Sequence, residues 1–138
     1  MTQSDQDVSA ATRSVVQSLL DAINALDFET VSRLQSPDIH FWSPGSTEVS
    51  GHYRSRDAYD EMAGVVFGYL DESGFDLTID SLIVDGEYAV AQASGKATTK
   101  KGVPYNNTYC MIWRVQDGLI TEMTEYSDTD MVRRVLLA

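Results

Sequence analysis

The sequence is poor in cysteine, proline and basic residues. With 1 cysteine, Cys110, among its 138 residues the chain cannot form an internal disulfide, so we expect a reducing cytoplasm as its location. Lysine and arginine number 10 against 21 aspartates and glutamates, which gives a formal net charge of −11. A surface of that sign repels phosphate backbones and anionic lipids. Nucleic acid and membranes are therefore not expected partners.

Long apolar runs are also absent from the sequence. No stretch approaches the roughly 20 apolar residues that a bilayer-spanning helix needs. The polar and acidic residues 2–7 do not resemble the apolar segment of a secretory signal. We expect residues 1–8 to form a flexible tail and the whole chain, 1–138, to form one globular domain, since 43% of its residues are apolar.

The first half of the chain has the three- and four-residue apolar spacing of amphipathic helices. A first helix is predicted over residues 8–26, a second over 28–34 and a third over 55–70. Asp27 is a candidate N-cap of the second helix, and Pro37 ends that helix because proline disfavours helical geometry in the residue before it. Residues 38–42 are expected to form a strand.

From Phe75 onward the apolar period changes to two, which is typical of strands. Strands are predicted from residue 75 to the Asp85-Gly86 turn, over 88–99, over 103–115 and over 119–126, with a brief closing helix from Asp128. Asp-Gly between alternating runs is a strong hairpin signal, so these strands should form an antiparallel meander. The pattern predicts an α+β fold in which a strongly curved sheet wraps the first helix, and any gap between them becomes a pocket.

Motifs for covalent, phosphate or metal chemistry are missing. There is no glycine-rich phosphate loop and no nucleophile motif around Cys110. His40 and His52 share no strand or helical spacing with a carboxylate, so neither a metal nor another cofactor is expected. The acidic residues near the end of the chain match no calcium loop, and Asp128 is better explained as a helix cap.

Glu125 is the sharpest candidate for chemistry. One face of the predicted strand 103–115 is large and aromatic and carries Asn107, Tyr109, Met111 and Trp113. One side of the next strand carries Leu119, Thr121, Met123, Glu125 and Ser127. If both faces point inward, the Glu125 carboxylate is desolvated and its pKa rises toward the range useful for acid–base catalysis. In the alternative, Glu125 reaches water or pairs with Arg114.

The first predicted strand offers a second proton-transfer candidate. His40 and Trp42 share one face of this strand and Ile39 and Phe41 share the other, so either pair could line the interior. In the first arrangement His40 near a carboxylate is a ready proton-transfer partner. In the second arrangement His40 is a structural residue.

Several segments, taken in order, resemble one known family. Residues 15–29 look like the family's first helix and turn, residues 43–45 with 51–54 like its next loop, and residues 105–109, 117–120 and 125–129 like its closing hairpin. The chain is thus similar to SnoaL-like and ketosteroid-isomerase-like proteins, in the superfamily named after nuclear transport factor 2. The resemblance implies a cone-shaped, strongly curved antiparallel (mixed) sheet wrapped around N-terminal helices, as in cystatin-like folds. It also implies a deep apolar pocket and homodimers that form through the outer sheet face.

The resemblance also bears on the site. The tyrosine, base and oxyanion acid of ketosteroid isomerases fall on Leu19, Trp42 and Met111, which cannot replace them, so the chain is not expected to be a standard ketosteroid isomerase. The same comparison directs His40, Asn107, Tyr109, Met123 and Glu125 toward the cavity. The expected substrate-binding residues are Leu19, Trp42, Phe67, Asn107, Tyr109, Met111, Trp113 and Met123.

Two hypotheses follow. The first is a cofactor-free proton-transfer enzyme of the cyclase, isomerase or dehydratase type, in which Glu125 and His40 act on a small hydrophobic molecule that bears a carbonyl group. The second is a non-catalytic module for ligand binding or dimerisation. An epoxide hydrolase of the limonene type would instead need an aspartate–arginine pair, and Arg114 falls on the strand face opposite Tyr109.

Overall fold

The computed structural model of the protein describes residues 3–138. Its helices are α1 (Gln3–Asn24), α2 (Phe28–Arg33), α3 (Arg56–Gly68) and a short α4 (Thr129–Met131) that continues into a π-helical turn, Val132–Leu136. Its strands are β1 (Gln35–Ser43), β2 (Gly51–Tyr53), β3 (Leu70–Asp85), β4 (Tyr88–Thr99), β5 (Thr108–Gln116) and β6 (Leu119–Ser127). The predicted α+β class is confirmed.

The strands of the described residues form one open, curved sheet in the order β2-β1-β6-β5-β4-β3. β1 and β6 run parallel, while every other neighbouring pair runs antiparallel, so the sheet is mixed. The helices cover its inner face: α1 contacts β3, β4 and β5, and α3 contacts β1 and β3. The predicted wrapping of a curved sheet around the N-terminal helices is confirmed.

α1 is anchored by one apolar stripe and by a polar contact near its middle. Leu19 and Leu20 are 1% and 2% exposed. The Thr12 hydroxyl donates a hydrogen bond of 2.7 Å to the carbonyl of Gly86, which ties the helix to the turn between β3 and β4. The helix begins at Gln3, whereas the sequence predicts a flexible tail over residues 1–8; the first two residues of that tail lie outside the described part.

Side-chain caps fix where the shorter helices begin. The Asp27 carboxylate accepts a hydrogen bond of 3.2 Å from the N–H of Thr30, and the Asp128 carboxylate accepts one of 3.2 Å from the N–H of Met131. Ser55 caps α3 in the same way. Because a capping oxygen satisfies a backbone donor that the first helical turn leaves unpaired, these residues define the helix starts. The predicted caps Asp27 and Asp128 are confirmed.

Several strand boundaries differ from the sequence prediction. β2 is an extra short strand, β3 begins at Leu70 rather than at residue 75, and β5 begins at Thr108 rather than at residue 103. Ahead of β5, the side-chain oxygen of buried Asn107 accepts hydrogen bonds from the backbone N–H groups of Thr108 (2.8 Å) and Asp128 (3.1 Å). The Asn107 side chain therefore pairs two backbone N–H groups that hydrogen bonds between strands would pair if β5 began earlier.

The hairpin between β5 and β6 closes on Asp117-Gly118. Both turn residues have positive φ angles, 51° and 77°, as the tight turn that matches strand twist requires. Gln116 and Leu119 are the first pair of the ladder beyond this turn. The predicted Asp-Gly hairpin is confirmed here.

A β-bulge at Thr121 interrupts the alternation of β6. Val115 pairs with Ile120 and Arg114 pairs with Glu122, so Thr121 is an extra residue with no partner of its own on β5. Strict alternation places Ile120 and Glu122 on one face, but Ile120 is fully buried and Glu122 is exposed. The predicted faces are therefore wrong for the start of β6 and correct from Glu122 onward.

The inner face of the sheet and the helices enclose the core. Its fully buried large side chains include Leu19, Leu20, Ile39, Phe41, Met111, Trp113 and Ile120. Within residues 3–138 no helix has the length and apolar character needed to cross a bilayer.

Candidate active-site pocket

A pocket opens between the inner face of the sheet, α2, α3 and the C-terminal segment. It encloses a cavity of about 120 Å³. The aromatic members of its wall are Phe28, Phe41, Tyr59, Phe67, Phe75, Tyr105 and Tyr109. Phe28 is 45% exposed and forms part of the mouth, whereas Tyr59 is 9% exposed and lies deep in the wall.

Aromatic rings in this wall support one another in a chain of edge-to-face contacts. The ring centroids of Phe28 and Phe67 are 4.9 Å apart, those of Phe67 and Phe75 are 5.8 Å apart, and those of Phe75 and Tyr109 are 6.3 Å apart. On the β1 side, Phe41 packs on Tyr59 with centroids 4.9 Å apart. Such geometry is favourable for aromatic pairs and gives the pocket a preformed wall.

Glu125 supplies the carboxylate of the pocket. It lies on β6 directly opposite Met111 of β5, and its side chain lines the cavity. No described residue hydrogen-bonds to this carboxylate or forms an ion pair with it. Burial raises the pKa of Glu125 to about 7, because the apolar surroundings penalise the charged form. Glu125 can therefore exchange a proton near neutral pH.

Three tyrosines surround this carboxylate. Burial is the main cause that raises the pKa values of Tyr59, Tyr105 and Tyr109, and the charge of Glu125 raises all three further. They are therefore protonated at neutral pH and can donate hydrogen bonds. The Tyr105 hydroxyl also accepts a hydrogen bond of 3.0 Å from the Asn107 amide and interacts with the Tyr109 hydroxyl.

Only some of the predicted site residues lie in the pocket wall. Those that do are Phe67, Tyr109, Met111, Met123 and Glu125, and their roles stay predictions. Leu19 and Trp113 are 1% and 0% exposed and belong to the packed core instead. Asn107 is 1% exposed and acts on its neighbours, since its amide contacts Tyr105 and the backbone ahead of α4.

The predicted inward placement of His40 and Trp42 is wrong. Ile39 and Phe41 are the buried residues of β1, at 0% and 2% exposure, so strand alternation turns His40 and Trp42 to the outer face. There, the Nε2 atom of His40 lies 2.8 Å from the Nδ1 atom of His52. Partial burial, followed by the charge of a nearby arginine, lowers the pKa of His40. His40 cannot be a direct partner of Glu125.

Arg114 also lies on the outer face. Its guanidinium donates to the carboxylates of Glu87 (2.9 Å) and Glu122 (3.2 Å). The alternative in which Arg114 pairs with Glu125 therefore does not apply. Within residues 3–138 no group of three or more histidine, cysteine, aspartate or glutamate side chains could hold a metal ion.

Tyr59 and Tyr105 line the pocket but were not among the site residues expected from the sequence. Tyr59 was part of the predicted apolar face of the third helix, and the face of a helix does not reveal which strand it covers. Tyr105 lies two residues before Asn107, so the strand alternation that groups Asn107 with Tyr109 assigns Tyr105 to the same face. That signal was available, although residue 105 itself lies before β5 begins.

Solved structures with the same fold include proteins of different reported activities. An NTF2-like protein of unknown function from Burkholderia pseudomallei has a TM-score of 0.82 at 19% identity, over 93% of this chain and 98% of that one. A candidate SnoaL-like polyketide cyclase from Jannaschia sp. has a TM-score of 0.80 at 15% identity, over 95% and 94%. An LEH-like epoxide hydrolase from M. tuberculosis has a TM-score of 0.74 at 20% identity, over 94% and 91%.

These identities are low, so the structural likeness establishes the fold alone. No curated protein matches the chain. The sequence model of the SnoaL-like domain, in contrast, matches residues 16–123, a span that runs from α1 through the middle of β6. The chain therefore belongs to the SnoaL-like domain family.

Proposed function

We propose that the protein is a cofactor-free proton-transfer enzyme that acts on a small apolar molecule bearing a carbonyl group, with Glu125 as its acid–base residue. The observation that carries this proposal is an unpartnered carboxylate that faces an apolar cavity. The raised pKa of Glu125, about 7, supports it, because a general acid–base group works best when its pKa lies near the working pH.

The first chemical step is the same for several reaction types. The Glu125 carboxylate takes a proton from the carbon next to the carbonyl group, and the electron pair of that C–H bond moves to form an enolate. Negative charge then develops on the carbonyl oxygen, where a hydrogen-bond donor stabilises it. Tyr109 is the proposed donor, since it lies on the inner face of β5 two residues from Met111, the cross-strand partner of Glu125.

The second step decides the product. Protonated Glu125 returns its proton to a different carbon in an isomerisation, or to a departing hydroxyl group in a dehydration, which releases water. In a cyclisation the enolate carbon attacks a second carbonyl group of the same molecule, and Glu125 protonates the resulting alkoxide. In each case Glu125 ends as the carboxylate with which it began, so no cofactor is required.

The residues of the pocket wall and of the adjoining core favour this chemistry over two related activities. Met111 and Leu19 have no hydrogen-bond donor, so the ketosteroid-isomerase arrangement of a tyrosine and a protonated acid is not available at these positions. The wall, within the described residues, contains neither an aspartate nor an arginine, the pair that a limonene-type epoxide hydrolase would need.

Cavity size limits the substrate. An apolar cavity of about 150 Å³ is enough to hold benzene, and this cavity measures about 120 Å³. The enclosed part of the substrate is therefore no larger than about one ring or a short branched chain, and any remainder extends through the mouth beside Phe28.

A non-catalytic ligand-binding module is the second candidate. The observation that favours it is the outward position of His40, which leaves Glu125 as the only carboxylate or imidazole in the pocket wall of the described chain. A single such group can bind a polar atom without turnover. The two candidates differ in whether bound carbonyl compounds lose a C–H proton.

Proton abstraction can be tested directly. Wild-type protein in D2O is incubated with small cyclic ketones and diketones, and NMR follows deuterium entry next to the carbonyl group. A thermal-shift screen of terpenoids, polyketides and steroids widens the search, because a ligand that binds only the folded state raises the melting temperature. We expect Glu125→Gln to slow exchange by about 100-fold or more.

Glu122→Gln is the matched control, because Glu122 lies on the same strand but faces outward and pairs with Arg114. Exchange that survives Glu125→Gln unchanged would rule out the acid–base role. Ligand binding without any exchange in wild-type protein would support the binding module instead.

We also propose that the protein is a cytoplasmic homodimer that associates through the outer face of the sheet. Register places one row of side chains across five strands of that face: Ile83, Val90, Ile112, Thr124 and Trp42. Ile83 is 66% exposed and Trp42 is 37% exposed, so both ends of this row offer apolar surface that association would bury.

A further inference from the structure

The pocket contains a carboxyl group whose charge, when ionised, no basic side chain of the described pocket wall balances. Among residues 3–138, Glu125 is the only ionisable acid in the wall, and no lysine, arginine or histidine lines the cavity. Arg114, on the neighbouring strand, is held by Glu87 and Glu122 on the opposite face. A carboxylate in such a place is costly to keep ionised unless a positive charge approaches it.

The rest of the wall is suited to a positive charge as well. Seven aromatic residues line the cavity, and aromatic ring faces attract cations through their quadrupole, most strongly where water is excluded. The net charge of −11 favours the approach of cations from solution. A ligand that carries its own positive charge would thus meet both a counter-ion and an aromatic enclosure.

We propose that this pocket binds small hydrophobic cations, namely quaternary ammonium ions and protonated tertiary amines, with Glu125 as the counter-ion and the aromatic wall around the alkyl groups on nitrogen. This inference rests on the same pocket as the proposed function, but it does not require turnover. It identifies an amine group as a recognition element in a substrate, or an amine as an inhibitor that occupies the site of a neutral substrate.

The ionisation of Glu125 predicts how the affinity depends on pH. A cation binds the carboxylate form in preference to the carboxylic acid. Because the pKa of Glu125 without ligand is about 7, affinity for a permanent cation should rise as pH increases through 7 and level off above it. A neutral ligand of the same shape lacks this dependence.

Two isosteric probes separate charge from shape. Phenyltrimethylammonium and tert-butylbenzene differ by one atom, nitrogen against carbon, and neither has a carbonyl group or a proton that the proposed reaction could remove. Binding of each is measured by NMR titration at pH 5.5 and pH 8.5, with wild-type protein, Glu125→Gln and Glu122→Gln. Glu122→Gln removes the same charge from the outer face and so controls for the overall field.

We expect wild-type protein at pH 8.5 to bind the cation about tenfold more tightly than the neutral isostere. This preference should be lost at pH 5.5 and in Glu125→Gln, and it should persist in Glu122→Gln. Equal affinity of the two probes in wild-type protein at pH 8.5 would overturn the proposal, as would an equal loss in both variants.

If Glu125→Gln does not fold, the pH series on wild-type protein decides the question by itself. The outcome is also independent of the proposed reaction. Cation binding without deuterium exchange into ketones would support this inference and contradict the proposed enzyme, and the reverse result would do the opposite.

Discussion

Met111 of β5 and Glu125 of β6 are direct cross-strand partners, and both line the pocket. A thioether therefore lies beside the only charged group of the wall within the described residues. Met111 offers neither a proton nor a strong acceptor to the carboxylate. The Glu125 carboxyl group is therefore available to solvent, to the tyrosine hydroxyls of the pocket wall and to any ligand that binds there.

Glu125 should make stability depend on pH in an unusual direction. The folded protein holds the Glu125 proton more tightly than the unfolded chain does, since its pKa is about 7 in place of 4.5. Raising the pH from about 4.5 to 7 should therefore remove stability, by about 3 kcal/mol at most. Glu125→Gln should abolish this part of the pH dependence.

Urea unfolding of wild-type protein and Glu125→Gln at pH 5 and pH 8 tests this expectation. The increase in the free energy of unfolding caused by Glu125→Gln should be larger at pH 8, where the wild-type carboxylate is charged. A difference between the two proteins that stays constant across this range would show that burial does not raise the pKa of Glu125.

Tyr109→Phe should lower the rate of the proposed reaction by about 100-fold while ligand affinity changes little, because a donor to a developing oxyanion acts mainly in the transition state. Steady-state kinetics with any ketone that exchanges its proton would separate kcat from KM. Tyr53→Phe is a suitable control, because the Tyr53 hydroxyl donates to the carbonyl of Val49 and is not part of the pocket wall. A rise in KM alone would assign Tyr109 to binding.

His40→Gln should leave the rate within about twofold of the wild-type rate, because the imidazole lies outside the pocket and contacts His52. The pH profile of the reaction should also be unchanged. A large loss of activity with an intact fold, measured by circular dichroism, would mean that the outer face communicates with the pocket.

Ile112→Asp should dissociate the proposed homodimer, since it places a charge in the middle of the apolar row on the outer face. Light scattering at micromolar concentration would show the mass of a monomer for this variant and of a dimer for wild-type protein. Thr78→Asp, at an exposed position of β3 outside the row, should leave the dimer intact. A monomeric wild-type protein would refute the dimer.

Much of the local structure could be predicted from the sequence. Asp27 and Asp128 could be identified as caps because capping depends on one side chain and its own backbone. Counting along the last strand grouped Glu125 with Met123, but it left open whether that side faces the helices. His40 could not be placed in this way, because alternation groups His40 with Trp42 but does not say which group faces the helices.

Other features depend on contacts between distant segments. Tyr59 shares the pocket wall with Glu125 because α3 packs over β1, and no local pattern encodes that proximity. Asn107 was expected to bind substrate, yet its side-chain oxygen accepts hydrogen bonds from the backbone N–H groups of Thr108 and of the distant Asp128. Such roles emerge only when the sheet is assembled.

The extra residue of the bulge, Thr121, affects which side chains of β6 face the pocket. Counted from the Asp117-Gly118 turn, a regular ladder would put Glu122 opposite Trp113 in the interior and would expel Glu125 to the exterior. The register of β6 beyond Thr121 therefore decides which glutamate faces the pocket. Pairing the same sequence without the bulge would turn a different side chain into the pocket, whereas deletion of Thr121 would leave Glu125 opposite Met111.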